Sequence, residues 1–89
     1  MVRVCFTKNI QRHVACPPCE VASGTARQVL DAAFAPNEKA RLYVLDEQGA
    51  VRKHMVVFIN GEPVKDRVRL GDAVPDGAEV YVMQALSGG

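Results

Sequence analysis

The sequence predicts an α+β fold in two layers, a mixed β-sheet packed on one main helix. Three stretches carry that expectation. Val2–Thr7 alternates apolar and polar residues and is rich in β-formers, as a half-buried strand should be. Ala26–Ala35 places Ala26, Val29, Leu30, Ala33 and Phe34 at helical spacing, with Arg27, Gln28 and Asp31 on the opposite face. Met55–Ile59 is the most apolar run in the chain and leads directly into Asn60-Gly61, the strongest short hairpin signal.

Taken in order, Val2, Val4 and Phe6 share one face of the first strand, and Arg3, Cys5 and Thr7 the other. Lys8–His13 is polar and reads as a turn or loop. Val14–Ala22 reads as a second strand that Pro17-Pro18 interrupts; it must be short, bulged or at an edge, because proline cannot donate to a ladder. Thr25 is placed to cap the helix, and Gln28 completes a capping-box pattern. Pro36 ends that helix by disfavouring helical backbone in the residue before it. Lys39-Ala40 adds at most a short turn, and Leu42–Leu45 reads as extended. Asp46–Gly49 is a turn whose glycine suits positive φ. Glu62–Val64 returns from the hairpin as an edge strand. In the connector Asp66–Leu70, Val68 and Leu70 are expected to anchor inward. Pro75-Asp76-Gly77 is a turn by its chemistry, and Glu79–Gln84 closes the sheet. If the first and last strands are central neighbours they run parallel. One face of the sheet is then left partly open as a candidate partner surface.

Length and charge narrow the function. Eighty-nine residues allow one small domain. There is no Trp and only five Phe and Tyr, so aliphatic side chains must supply most of the core. Eleven Lys and Arg against 10 Asp and Glu leave a net charge of +1, which gives no general reason to bind nucleic acid or an anionic membrane. No apolar run approaches the ~20 residues that span a bilayer. The start, Met1–Phe6, lacks the features of a signal peptide, so the cytoplasm is the expected location. Three cysteines, an odd number, argue against a secreted disulfide scaffold.

Two candidate sites stand out. The first is Leu86-Ser87-Gly88-Gly89, directly after the strand-like Val80–Met83. At the average glycine usage of ~7%, Gly-Gly ends a chain by chance about once in two hundred cases. The expected organisation is a domain over residues 1–85 and a flexible tail over 86–89. The second is Cys16-Pro17-Pro18-Cys19. A C-x-x-C is either a redox pair or half of a zinc site. Redox motifs of that kind open a helix after a strand, whereas here the helix begins only near Ala26. Zinc needs two more ligands, and Cys5, His13 and His54 match no common spacing. The simpler reading is two small residues in a kinked edge strand.

His13 and His54 are flanked by polar residues and are expected to be solvated. Arg52, Lys53, Lys65, Arg67 and Arg69 form either a solvated face or a patch that steers an acidic partner to the sheet. Met55 and Phe58 are expected in the core. There is no Ser-His-Asp pattern, no phosphate-binding glycine loop and no carboxylate pair.

Four segments together resemble a known family. They are the helix start Thr25-Ala26-Arg27-Gln28-Val29-Leu30, the strand-turn Val57-Phe58-Ile59-Asn60-Gly61-Glu62-Pro63-Val64, the turn Val74-Pro75-Asp76-Gly77-Ala78-Glu79-Val80, and the ending Ala85-Leu86-Ser87-Gly88-Gly89. In this order the chain resembles the ubiquitin-like β-grasp sulfur carriers of the MoaD and ThiS type, and among them the CysO-like members. The resemblance spans nearly the whole chain and is loosest over residues 8–22 and 36–54. The C-x-x-C motif is a departure that the family does not require.

The resemblance implies a carrier with no catalytic side chains and no cofactor of its own. An activating partner of the ubiquitin-activating adenylyltransferase and sulfurtransferase type would use ATP and Mg to adenylate the Gly89 carboxylate. The resulting thiocarboxylate would pass its sulfur to a biosynthetic enzyme for cysteine or a related metabolite, molybdopterin or thiazole. The chemistry suits the residues. A chain-end carboxylate, with a pKa of about 3.5, is ionised at neutral pH and is a poor electrophile until joined to AMP. Gly88 and Gly89 lack Cβ and let the backbone approach a nucleotide, and Leu86 and Ser87 give reach and a docking handle. Two alternatives share the sequence: a ubiquitin-like modifier joined through Gly89 to a target lysine, and a small redox or metal module using Cys16 and Cys19.

Overall fold

The computed structural model describes residues 1–85. Seven strands and three helices follow in the order β1 (Val2–Phe6), α1 (Lys8–Gln11), β2 (Cys19–Val21), β3 (Gly24–Thr25), α2 (Ala26–Phe34), α3 (Glu38–Val44), β4 (Met55–Ile59), β5 (Glu62–Pro63), β6 (Ala73–Val74) and β7 (Glu79–Gln84). Five strands form one sheet in the order β2-β1-β7-β4-β5, and β3 pairs with β6 in a small second one. The first and last long strands do lie side by side and parallel, with Val4 opposite Val80 and Phe6 opposite Val82. The other pairings of the main sheet are antiparallel.

The helix layer covers one face. Val2, Val4 and Phe6 of β1, Val57 of β4 and Val80 and Val82 of β7 are all buried beneath it. They meet Ala26, Val29, Leu30 and Phe34 of α2, the residues that the helical period had placed on one stripe. Phe34 tilts against Phe6 with ring centroids 5.7 Å apart. The expected capping box is complete: the Gln28 N–H donates to Thr25 Oγ1 at 3.2 Å, and the Thr25 N–H donates to Gln28 Oε1 at 3.0 Å. The first amides of α2, on Ala26 and Arg27, donate to the carbonyls of Asp72 and Leu70, so these otherwise unpaired donors tie the helix start to the 65–72 loop.

Asn60 (φ 50°) and Gly61 (φ 86°) both take positive φ, the geometry that a type I′ turn requires. Gly49, at φ 86°, takes the positive φ expected of the Asp46–Gly49 turn. The turn at Pro75 closes through an Ala78 N–H donated to the Pro75 carbonyl at 3.1 Å.

Several expectations are corrected. Lys8–Gln11 is a helical turn and not a loop, anchored by the fully buried Ile10. The second strand is confined to Cys19–Val21 at the sheet edge, because Pro17-Pro18 stops pairing before it starts. Leu42–Val44 is helical and not extended: α3 begins at Asn37, whose Oδ1 accepts the Ala40 N–H at 3.2 Å, and it buries Ala40 and Val44 one turn apart. Leu70 is buried as expected, but Val68 is 66% exposed. Asp66 and Asp72 explain why. Asp72 accepts the amides of Lys65 and Asp66, and Asp66 accepts those of Val68 and Arg69, so side-chain acceptors set the loop and turn Val68 outward. These amide bonds hold both carboxyls below the usual carboxylate range, with Arg69 the main contributor for Asp66 and Lys65 for Asp72.

Candidate functional site

The expected site residues Leu86, Ser87, Gly88 and Gly89 lie outside the described residues. The structure does describe the point from which they continue, the end of β7. This strand is the third of five in the sheet and is held by β1 on one side and β4 on the other. Its last residue, Gln84, lies opposite the fully buried Met55. Because side chains alternate along a strand, Gln84 points to the same face as Val80 and Val82, toward the helices.

There Gln84 joins three segments that are distant in sequence. Its Nε2 donates to the Tyr43 hydroxyl at 2.9 Å, and its Oε1 accepts from Asn9 Nδ2. The His13 ring stacks on Tyr43, with centroids 5.5 Å apart and planes 25° from parallel. One residue further on, the Ala85 N–H donates to the His54 carbonyl at 2.8 Å. The strand end is thus fixed by β4 through the backbone and by α1 and α3 through side chains.

That arrangement sets five exposed residues beside the strand end: Lys8, Arg12 and His13 from the α1 region, and Lys53 and His54 from the turn before β4. Neither histidine is buried, as expected. The basic cluster read from the second half of the sequence is, by contrast, dispersed. Arg67 turns inward to donate to the carbonyls of Arg52 (2.7 Å) and Met55 (2.6 Å), and Arg52 Nε donates to the Leu42 carbonyl at 2.8 Å. Lys65 and Arg69 belong to the Asp66–Asp72 loop. Of the five residues in that cluster, Lys53 alone is next to the residue that holds Ala85. Lys8 and Arg12 were not singled out in the sequence, and nothing local marks them; the packing of α1 against the end of β7, through Asn9 on Gln84 and His13 on Tyr43, places their segment there.

The face of the sheet turned away from the helices carries its own pattern. Cys5, Tyr81, Phe58 and Pro63 are in register across four strands, an apolar row. Below it Glu20, Arg3 and Glu79 form a charged row. Contact with the Cys5 side chain raises the Arg3 pKa, and the two flanking glutamates act in the same direction. Phe58, expected in the core, instead lies half-buried on this open face.

Cys16 is buried, and Cys19, at the start of β2, is half-buried. Both line a small apolar cavity with Phe6, Phe34 and Ala40, and no disulfide joins them. Burial pushes both thiols up. Less thiolate at neutral pH makes each a weaker nucleophile, the opposite of what a redox-active pair needs. Among the described residues no group of three or more His, Cys, Asp or Glu is placed to hold a metal ion. Nor, among these residues, is any helix long and apolar enough to cross a membrane.

No family model matches the chain, and no curated protein matches it by sequence. Solved structures do match. A chain of the BexX/CysO complex of Amycolatopsis orientalis superposes with a TM-score of 0.80 at 19% identity, covering 100% of both chains. CysO of Mycobacterium tuberculosis, an antigen, gives 0.79 at 19% identity over 97% of this chain and 100% of its own. SAMP1 of Haloferax volcanii gives 0.75 at 24% identity over 99% and 98%. With the parallel β1–β7 pair at the centre and one face packed on α2, these matches make the fold the ubiquitin-like β-grasp.

Proposed function

We propose that this chain is a sulfur carrier whose working group is the Gly89 carboxylate. The observation that carries the reading is the position of β7. It is a central strand of the sheet and the last among the described residues, and only Ala85 separates it from Leu-Ser-Gly-Gly. The tail would then be rooted on the best-supported part of the molecule. The partner can grip a rigid handle while the slim end reaches its active site.

The steps are those of carboxyl activation. A ubiquitin-activating-type adenylyltransferase, supplying ATP and Mg, joins the carboxylate to AMP and releases pyrophosphate. A sulfur nucleophile attacks the acyl carbon and AMP leaves, so the C–O bond to AMP is exchanged for a C–S bond. The thiocarboxylate then gives its sulfur to a biosynthetic enzyme. The destination we favour is cysteine or a related sulfur metabolite, on the CysO-like hairpin Val57-Phe58-Ile59-Asn60-Gly61-Glu62, with molybdopterin and thiazole as the other candidates. The test is mass spectrometry of the intact chain after incubation with an activating enzyme of this type, ATP, Mg and sulfide. The expected result is one sulfur-for-oxygen exchange, lost on deletion of Gly89. Exchange that persists after the deletion would sink the reading.

A second reading shares the adenylate: attachment of Gly89 to a lysine of another protein. The likeness to the small archaeal modifier protein 1 of Haloferax volcanii supports it. Higher-mass conjugates on immunoblots, absent when Gly89 is deleted, would distinguish it.

A further inference from the structure

The chemistry of carboxyl activation does not call for the exposed cations beside Gln84, yet they stand near the point from which residues 86–89 continue. Asn9 reaches Gln84 and His13 stacks on the Tyr43 that Gln84 also holds, which brings the segment carrying Lys8 and Arg12 to the strand end; the His54 carbonyl accepts from Ala85, which brings the turn carrying Lys53 there. Lys8, Arg12 and Lys53 are exposed, and among the described residues none of them ion-pairs with an acidic side chain. Four of the ten acidic groups are engaged elsewhere: Asp31 with Arg41, Asp66 and Asp72 in their own loop, and Asp76 with the Met1 ammonium.

We infer that these three cations form a basic rim that docks an acidic protein surface, the mouth of the channel that receives the tail. The inference rests on the carrier reading for its partner but not for its chemistry.

Two magnitudes support it. Glu79 opens β7 five residues before Gln84, roughly 16 Å away at about 3.3 Å per residue. That is twice the ~8 Å over which physiological salt screens a charge. An approaching surface at the strand end therefore meets the rim without the acidic end of the molecule cancelling it, although the net charge is only +1. Second, the four residues from Leu86 to Gly89 span at most ~13 Å when extended. With the tail extended into a partner, the rim would lie that far from the reacting carboxylate. Its charges would face the mouth of the partner's channel and not the phosphates of a nucleotide inside it.

Two measurements test this. The first is free of chemistry: amide shifts of the isotope-labelled chain titrated with a poly-glutamate peptide. Shifts should concentrate at residues 8, 9, 12, 13, 53, 54 and 85, fade with added salt, and vanish in a Lys8→Gln/Arg12→Gln/Lys53→Gln variant. Shifts spread equally over Lys65 and Arg69, or none at all, would overturn the rim. The second follows pyrophosphate release by an activating enzyme of the ubiquitin-activating type. The triple variant should lose about tenfold in kcat/KM with kcat unchanged. A Lys65→Gln/Arg69→Gln control should lose nothing. Equal kcat/KM in the wild type and the triple variant contradicts the rim. Peptide shifts at the rim without any adenylation of Gly89 would leave the rim standing and remove the carrier reading instead.

Discussion

The two ends of β7 are built from different materials. Its entry is held mainly through backbone groups: the Pro75–Gly77 turn closes on itself, the Gly77 N–H donates to the Met1 carbonyl at 3.0 Å, and Glu79 exchanges bonds with Asn60, its N–H donating to Asn60 Oδ1 at 3.0 Å. Its exit is set by side chains from three remote segments that meet at Gln84. The entry carries acidic groups, Asp76 and Glu79, and the exit carries Lys8, Arg12 and Lys53. A strand whose start is held mainly by backbone bonds and whose end is held by side chains from remote segments can be stable and still present a particular surface where its continuation leaves.

The sharpest way to break that contrast is to remove what both ends share, the buried layer beneath the strand. Met55 is fully buried opposite Gln84. Met55→Ala should cost about 2–5 kcal/mol in denaturant unfolding, because the side chain's burial is lost and a cavity remains. The next largest effect belongs to the entry. Asn60→Ala loses the acceptor for Glu79 and puts a Cβ-bearing residue without a local polar partner at φ 50°, which should cost about 1–2 kcal/mol. Asn60→Gly loses the same acceptor but keeps the turn geometry and should cost less, so a larger loss from Gly than from Ala would show that the positive φ is not part of the cause. At the exit, Gln84→Ala should cost about 1 kcal/mol or less, since the backbone bond from Ala85 to His54 survives. An exit cost that matches the entry cost would erase the distinction.

The smallest effect is that of pH, and it falls on the entry. The Met1 ammonium, by hydrogen bond and charge, lowers the Asp76 pKa. A carboxyl whose folded pKa lies below its unfolded value adds stability that is complete above the usual carboxylate range, near about pH 4. That stability fades as pH falls through the lower folded value. Unfolding of Asp76→Asn should therefore lack the part of the acid dependence that the wild type shows below about pH 4, measured by denaturant midpoint against pH.

What could be read in the sequence follows from the same contrast. Features set by neighbours along the chain were legible: the Thr25–Gln28 capping box, the Asn60-Gly61 turn, the Pro75–Gly77 turn and the stripe of α2. Helix α3 was not, because Tyr43 and Val44 are β-formers by propensity. The cue that outweighs them is the Asn37 cap followed by Glu38 in the first turn and Ala40 and Val44 at one-turn spacing. Helix α1, four residues long, is too short to show a period, and β3 and β6 have two residues each. The exit rim is invisible for a different reason. Lys8, Arg12 and Lys53 are separated by up to 45 positions, and the register of β7 against β4 and the packing of α1 and α3 bring them together.

The measurement that bears most directly on the central claim is the intact mass of the chain after incubation with an activating enzyme of the ubiquitin-activating type, ATP, Mg and sulfide. The account predicts a single sulfur-for-oxygen exchange that fragmentation places at Gly89 and that requires ATP. An unchanged mass, or sulfur found instead on Cys16 or Cys19, would contradict it.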